Sequence, residues 1–154
     1  MCRYALHPHY KKHYACFACR KSWKRRNKAE VDPAGADHPA RCPQCGLLMA
    51  DMGLDFAPPR ARDLAAWAAA GALFEMGETF HSCGCGGPGY RPREPSKLAA
   101  YFAERTGEYE AHLAAWLRAT PATPAEQANK ESAIAAWRTR IERLRNACDV
   151  TRAR

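Results

Sequence analysis

The sequence predicts a small metal-bound α+β protein: short antiparallel strands at the N-terminal end, a connector helix, and a C-terminal antiparallel two-helix hairpin. Three observations predict it. Two Cys-x2-Cys hooks, Cys16/Cys19 and Cys42/Cys45, stand 22 residues apart near the front of the chain. One apolar helical stripe lies between Pro58-Pro59 and Gly77. Two long Ala-rich amphipathic segments, joined by Thr120-Pro121-Ala122, fill the last third. The expected domains are 1–57, 58–94 and 95–154.

The hooks come first. Two residues between cysteines let a tight turn aim both sulfurs at one ion, and two such pairs supply the four thiolates of a tetrahedral Zn2+ site. Cys16, Cys19, Cys42 and Cys45 are therefore the expected ligands of one structural Zn2+; iron takes the same ligand set. Gly46 follows the second hook, where a positive φ is often needed. Residues 12–25 (KHYACFACRKSWKR) read as two short strands around the first hook. Residues 27–40 have the Pro, Gly and Asp content of a loop, and 41–50 carry the second hook with Leu47-Leu48-Met49. Hook, strand, loop, hook, strand is the outline of a zinc ribbon. A module with so few core residues draws much of its folding free energy from the metal.

Residues 51–61 read as a stiff connector, because Pro58-Pro59 exclude helix. A helix is expected from about Arg62 to Met76, with Asp63 near its start, Leu64, Trp67, Gly71 and Phe74 on its stripe, and Gly77 as its C′ residue. The first hairpin helix is expected from Ser96, as N-cap, to Ala119, with Leu98, Tyr101, Phe102, Tyr109, Leu113 and Trp116 apolar. The second starts at Thr123-Pro124-Ala125-Glu126, a capping box with Pro at N1. Its stripe of Ile134, Trp137, Ile141, Leu144 and Cys148 has coiled-coil spacing. The short break predicts antiparallel packing.

The formal net charge is +8 and the isoelectric point about 9.2. Residues 1–31 carry nine Lys/Arg against the single acid Glu30, so the whole excess sits there. Lys11, Lys12, Arg20, Lys21, Lys24, Arg25 and Arg26, mixed with Trp23 and other rings, have the composition of a face for nucleic acid or the ribosome. The ordinary alternative is that the rings pack around the metal and the charges solubilise. No apolar leader opens the chain and no run is long enough to cross a bilayer. The expectation is a cytoplasmic protein that does not engage a membrane, whose cysteines stay reduced and bind metal. A protein partner or a second copy is the expected occupant of the helical surface 95–148.

The stretch 77–95 is Gly- and Pro-rich and is expected to pack on the ribbon as an ordered loop. Within it His81, Cys83 and Cys85 are candidate ligands of a second metal, completed by Cys2, His7, His9 or His13, or parts of a metal- or thiol-dependent enzyme site. Small residues packed by a glycine loop are the plainer account. The glycine run with Arg91 and Arg93 could cradle a phosphate. Asp37-His38 between the hooks suggests an HNH nuclease, but no asparagine is placed as its partner. No catalytic residues are assigned.

The Cys-x2-Cys…Cys-Pro-Gln-Cys-Gly pattern resembles the zinc ribbons of rubredoxin-like, ribosomal and transcription proteins. From Tyr14 to Pro92 the chain also resembles a set of short, uncharacterised bacterial zinc-ribbon proteins. They share the hooks, an Asp-Phe-x-Pro-Pro-Arg step (Asp55–Arg60 here), one helix, and the tag FHxCGCGGPGYRP (Phe80–Pro92). The resemblance implies a metal-held ribbon with the tag beside it and no particular activity. The hairpin after residue 95 lies outside it.

Overall fold

The computed structural model describes residues 11–26, 40–81 and 86–152, without the side chains of 147–152. It divides into two compact units, Met1–Arg93 and Glu94–Arg154.

In the first unit, strands β1 (Lys12–Cys16), β2 (Lys21–Arg25) and β3 (Ala50–Gly53) form one antiparallel sheet in the order β2-β1-β3. β1 is central. Directly opposed residues share a face. Tyr14 opposes Trp23 and Cys16 opposes Lys21 on one face, while His13 opposes Lys24 and Ala15 opposes Ser22 on the other. The first face collects Tyr14, Cys16, Cys42 and Met49. The second collects Ala15, Ala50, Met52 and Phe56 with Trp67 and Ala70 of helix α1 (Leu64–Glu75). One face of this small sheet therefore meets a helix, and the other meets the cysteines.

β3 runs through Ala50–Gly53, where the connector was expected. Ala50 and Met52 are buried and Asp51 is half-exposed between them, so a strand alternation is present that the acid and glycine obscure. Leu47 and Leu48, expected to be the apolar strand after the hook, are instead 56% and 64% exposed, and only Met49 of that triplet is buried.

Helix α1 starts at Asp63, whose carboxylate accepts from the Ala66 N–H at 3.0 Å, a normal N-cap. Its buried side is Ala66, Trp67, Ala69, Ala70 and Leu73. Leu64, expected on the stripe, is 61% exposed; the small alanines let the helix lie close to the sheet and shift the contact away from it. Gly77 (φ 79°) ends the helix. Glu78 N–H bonds Leu73 O at 2.9 Å and Gly77 N–H bonds Phe74 O at 2.8 Å, a Schellman closure.

After that turn the chain returns to β3. Phe80 N–H bonds Met52 O at 2.8 Å and Asp55 N–H bonds Phe80 O at 3.1 Å. The approach requires glycine at position 53: its φ is 92°, and a Cβ there would lie 2.6 Å from the backbone of Phe80 and His81.

The second unit opens with a 3-10 turn, Pro95–Lys97, followed by α2 (Leu98–Arg118) and α3 (Pro124–Arg152). Ser96 is therefore inside the turn rather than an N-cap, because Pro95 starts a tighter helix first. Thr123 caps α3, accepting from Glu126 N–H at 3.2 Å, and Glu126 reaches back to Ala122 N–H at 2.8 Å, one residue beyond the expected box. The helices are antiparallel: Lys130 Nζ reaches Ala119 O at 2.8 Å, Trp137 stacks on His112 at 4.8 Å, and Arg145 pairs with Glu110 at 2.8 Å. Leu98, Tyr101, Phe102, Ile141 and Leu144 are buried, whereas Tyr109, Leu113, Trp116, Ile134 and Trp137 are half-buried.

Candidate metal centre

β1 delivers Cys16 at its last residue, and the following turn brings Cys19 back toward it. The second hook makes a similar turn. Gly46 N–H bonds Cys42 O at 2.9 Å and Cys42 N–H bonds Leu47 O at 2.8 Å. Each hook closes on a residue of positive φ directly after its second cysteine, Arg20 (φ 52°) and Gly46 (φ 74°). Arginine is uncommon in that region. Its side chain is anchored by Nε donating to Ala61 O at 3.3 Å. Backbone N–H groups also point at sulfur: Cys19 N–H to Cys16 Sγ at 3.5 Å and Gln44 N–H to Cys42 Sγ at 3.4 Å.

The four sulfurs lie within 4.8 Å of one another. Cys16 Sγ is 3.5 Å from Cys45 Sγ, and Cys42 Sγ is 3.8 Å from Cys19 Sγ. A tetrahedron of thiolates at a Zn–S length of about 2.3 Å has an edge of about 3.8 Å. The cluster is thus sized for a single four-coordinate ion.

The thiols feel one another. The hydrogen bond from Cys45, with burial behind it, pushes the Cys19 thiol up to about 12. Burial raises Cys16 as well. Burial also opposes ionisation of Cys42, but hydrogen bonds from the backbone N–H groups of Cys45 and Gln44 and from the Cys45 and Cys16 thiols together outweigh it and bring that thiol down to about 7. Four thiolates in contact repel strongly, so one ionises readily and its neighbours resist. A bound dication removes that conflict.

The first hook is tied to the helix by Phe17. Its ring meets Trp67 edge-on at 6.2 Å and Phe74 at 5.9 Å, and it lies 3.7 Å from where a Cβ on Gly71 would sit. A Cβ at that distance would make ordinary van der Waals contact with the ring, so position 71 has room for a methyl group. On the second hook, Arg25 Nη2 donates to Arg41 O at 2.9 Å and Arg41 Nη1 to Gly46 O at 3.1 Å.

The remaining candidates divide. His81 lies beside β3, its Nε2 3.3 Å from Asp51 Oδ1. Asp51 also holds Lys12 Nζ at 3.1 Å and accepts from Gly53 N–H at 3.1 Å. Cys83, Cys85, Cys2, His7, His9 and the Asp37-His38 pair lie outside the described residues. His13 sits on the helix-side face, edge-on to Phe56 at 6.2 Å, with burial and then Lys24 lowering its pKa. Tyr14, a ring of the basic–aromatic stretch, is buried behind Cys16, and Trp23 packs half-buried on the same cluster. Among the cations, Lys12, Arg20 and Arg25 are occupied by the bonds above. Lys11, Lys21, Lys24 and Arg26 are exposed. Arg91 does not face outward toward a phosphate: its Nη2 pairs with buried Glu78 at 2.8 Å.

Asp51 and Arg41 help to organise the unit and escape sequence reasoning. Asp51 and Arg41 look like ordinary surface charges, and only the folded chain shows their partners. The Phe inside the first hook is a visible signal, since a large ring between ligands must be packed somewhere.

No protein-family model matches the chain, and neither the curated proteins nor the solved structures include a match. Among the described residues no helix is long and apolar enough to cross a membrane.

Proposed function

We propose that this is a cytoplasmic zinc-ribbon protein in which one structural Zn2+, held by Cys16, Cys19, Cys42 and Cys45, shapes a basic surface for nucleic acid, ribosomal RNA included. The supporting observation is the juxtaposition of the four-cysteine cluster with edge strand β2. Lys21, Lys24 and Arg26 are exposed on and beside that strand and have no acidic partner among the described residues. Edge lysines also discourage strand pairing between molecules, so the test must separate the two roles. Each cation that meets a phosphate steepens the dependence of log affinity on log salt by about 0.7–0.9. Replacing Lys21, Lys24 and Arg26 with Ala together should flatten that slope by about 2–3 units and leave the zinc content at one per chain. Binding to RNA and DNA that ignores ionic strength, or is unchanged in the triple variant, removes the nucleic-acid assignment.

The second reading is a protein–protein adaptor. It is favoured by Leu47 and Leu48, which stand 56% and 64% exposed beside the second hook. An enzyme built on His81, Cys83 and Cys85 would need its own metal or a reactive thiol. Two zinc ions per chain would speak for it.

A further inference from the structure

The two hooks differ at the position that closes them. Directly after its second cysteine the second hook has Gly46, whereas the first has Arg20, held at φ 52°. A side chain in that region is strained, and such strain concentrates where function requires the residue. What the arginine gains is direction. Its Nε donates to Ala61 O at 3.3 Å, on the turn that leads into α1. That bond uses one guanidinium nitrogen and leaves both Nη groups without a partner among the described residues.

Arg60 and Arg62 flank that carbonyl. Both are exposed, both line one open concavity with Ala61 and Asp63, and neither has an acidic partner among the described residues. The turn beneath them is fixed: Arg60 O accepts from Asp63 N–H at 2.9 Å and from Trp67 Nε1–H at 3.1 Å. Asp63 is the one acid of the concavity, and its Oδ1 already caps α1 through Ala66 N–H at 3.0 Å. The helix end is thus filled, and the capacity to bind lies in the guanidinium groups. Three cations gathered against one engaged carboxylate favour an anion from outside the chain. The guanidinium fork matches two oxygens of a phosphate. Lys21, the first residue of β2, follows Arg20 directly. The arginines therefore extend the row of Lys21, Lys24 and Arg26, and β2 itself covers about 13 Å at about 3.3 Å per residue.

We propose that Arg20, Arg60 and Arg62 form a phosphate-binding station, and that the backbone of a nucleic-acid strand bound along β2 continues past the first hook onto it. This rests on the nucleic-acid reading above and adds to it a contact on a different element, the approach to α1.

The test titrates the full-length zinc-loaded protein with a labelled oligouridylate at several salt concentrations. Each phosphate contact on a single strand contributes about 0.7 to the slope of log affinity against log salt. Arg60→Ala combined with Arg62→Ala should flatten the slope by about 1.4 units. Arg138→Ala combined with Arg143→Ala makes the same change of charge at exposed positions of α3 and should leave the slope as in the wild type. Arg20→Gly should flatten it by about 0.7 and keep or raise zinc retention against a chelator, because glycine suits that backbone. The other role open to Arg20 is to offset the thiolates beside it. Arg20→Gly would then lower zinc retention and leave the slope alone, which overturns the station. A slope that responds to the triple variant of β2 but not to the Arg60/Arg62 pair overturns the station and leaves the nucleic-acid reading standing. Equal flattening by the α3 pair reduces the effect to net charge and overturns the proposal. Wild-type binding that ignores salt removes the nucleic-acid reading and the station together.

Discussion

Residues up to Arg93 and those from Glu94 onward hold their shape by opposite means. The first unit has short strands of four or five residues, a twelve-residue helix and side chains whose order depends on turns at Arg20, Gly46, Gly53 and Gly77. Its strands are short and its core is small, and on the proposed reading an ion held by the cysteine cluster supplies the missing cross-link. The hairpin has no such cluster among its described residues. It relies on helices of 21 and 29 residues, closed by a capped turn and by one apolar seam. A metal-held unit fails when its ion leaves; a seam-held unit fails when a seam residue leaves. The two should therefore be separable by the reagent used.

Metal removal carries the largest expected effect. Structural zinc binding is worth about 10–16 kcal/mol in small zinc-finger peptides. Chelation, or Cys42→Ser, should abolish the near-ultraviolet signal of Trp23 and Trp67 and retain most of the helical far-ultraviolet signal, since α2 and α3 hold most of the helix. Acid should act in the same direction, because protons compete with the ion for the sulfurs. Loss of all helix on chelation would show that the two units stand or fall together.

Leu144→Ala is the mirror experiment. Leu144 is fully buried on α3, and truncating a buried leucine costs about 2–5 kcal/mol. The hairpin transition in urea should move to lower concentration while zinc content stays the same. A variant that loses zinc contradicts the separation.

Gly53→Ala attacks the first unit without touching a ligand. A methyl at 2.6 Å from the Phe80 backbone cannot be accommodated by rotating a side chain, and φ of 92° is itself unfavourable for alanine. The expected cost is about 2–3 kcal/mol, seen as weaker zinc retention against a competing chelator. Unchanged retention would mean that the return of Phe80 to β3 is not coupled to the hooks.

These contrasts also explain what was legible in the sequence. The hooks, α1, α2 and α3 are encoded locally, by spacing, period and caps, and the chain shows them in place to within a few residues. The four candidate ligands come together as their spacing implied. β3 was less legible, because Asp51 and Gly53 resemble connector residues until their partners are known. Asp51 meets Lys12 across 39 positions and Glu78 meets Arg91 across a glycine-rich loop. No local pattern marks such pairs. Leu64 lies on the helical period yet outside the contact, because the period defines a stripe and the neighbouring element decides which part of it is covered.

Gly107 makes the smallest and sharpest test, since it is the hairpin's counterpart to Gly53. It lies in the interior of α2, it is exposed, and a Cβ there would meet nothing within 4 Å. Its φ is not in the positive range. A helix-interior glycine of this kind costs about 1 kcal/mol relative to alanine through backbone entropy. Gly107→Ala should therefore raise the unfolding free energy of the hairpin by that amount, seen as a higher urea midpoint, and leave zinc retention unchanged, whereas the same substitution at Gly53 lowers zinc retention. One methyl group thus reads the two regions with opposite sign: where the backbone is folded onto a neighbour glycine is required, and where the helix faces open space it is only a weakness. A fall in stability at Gly107 would mean that this face of α2 is covered in solution, and a second copy packed on it would show as a concentration-dependent midpoint.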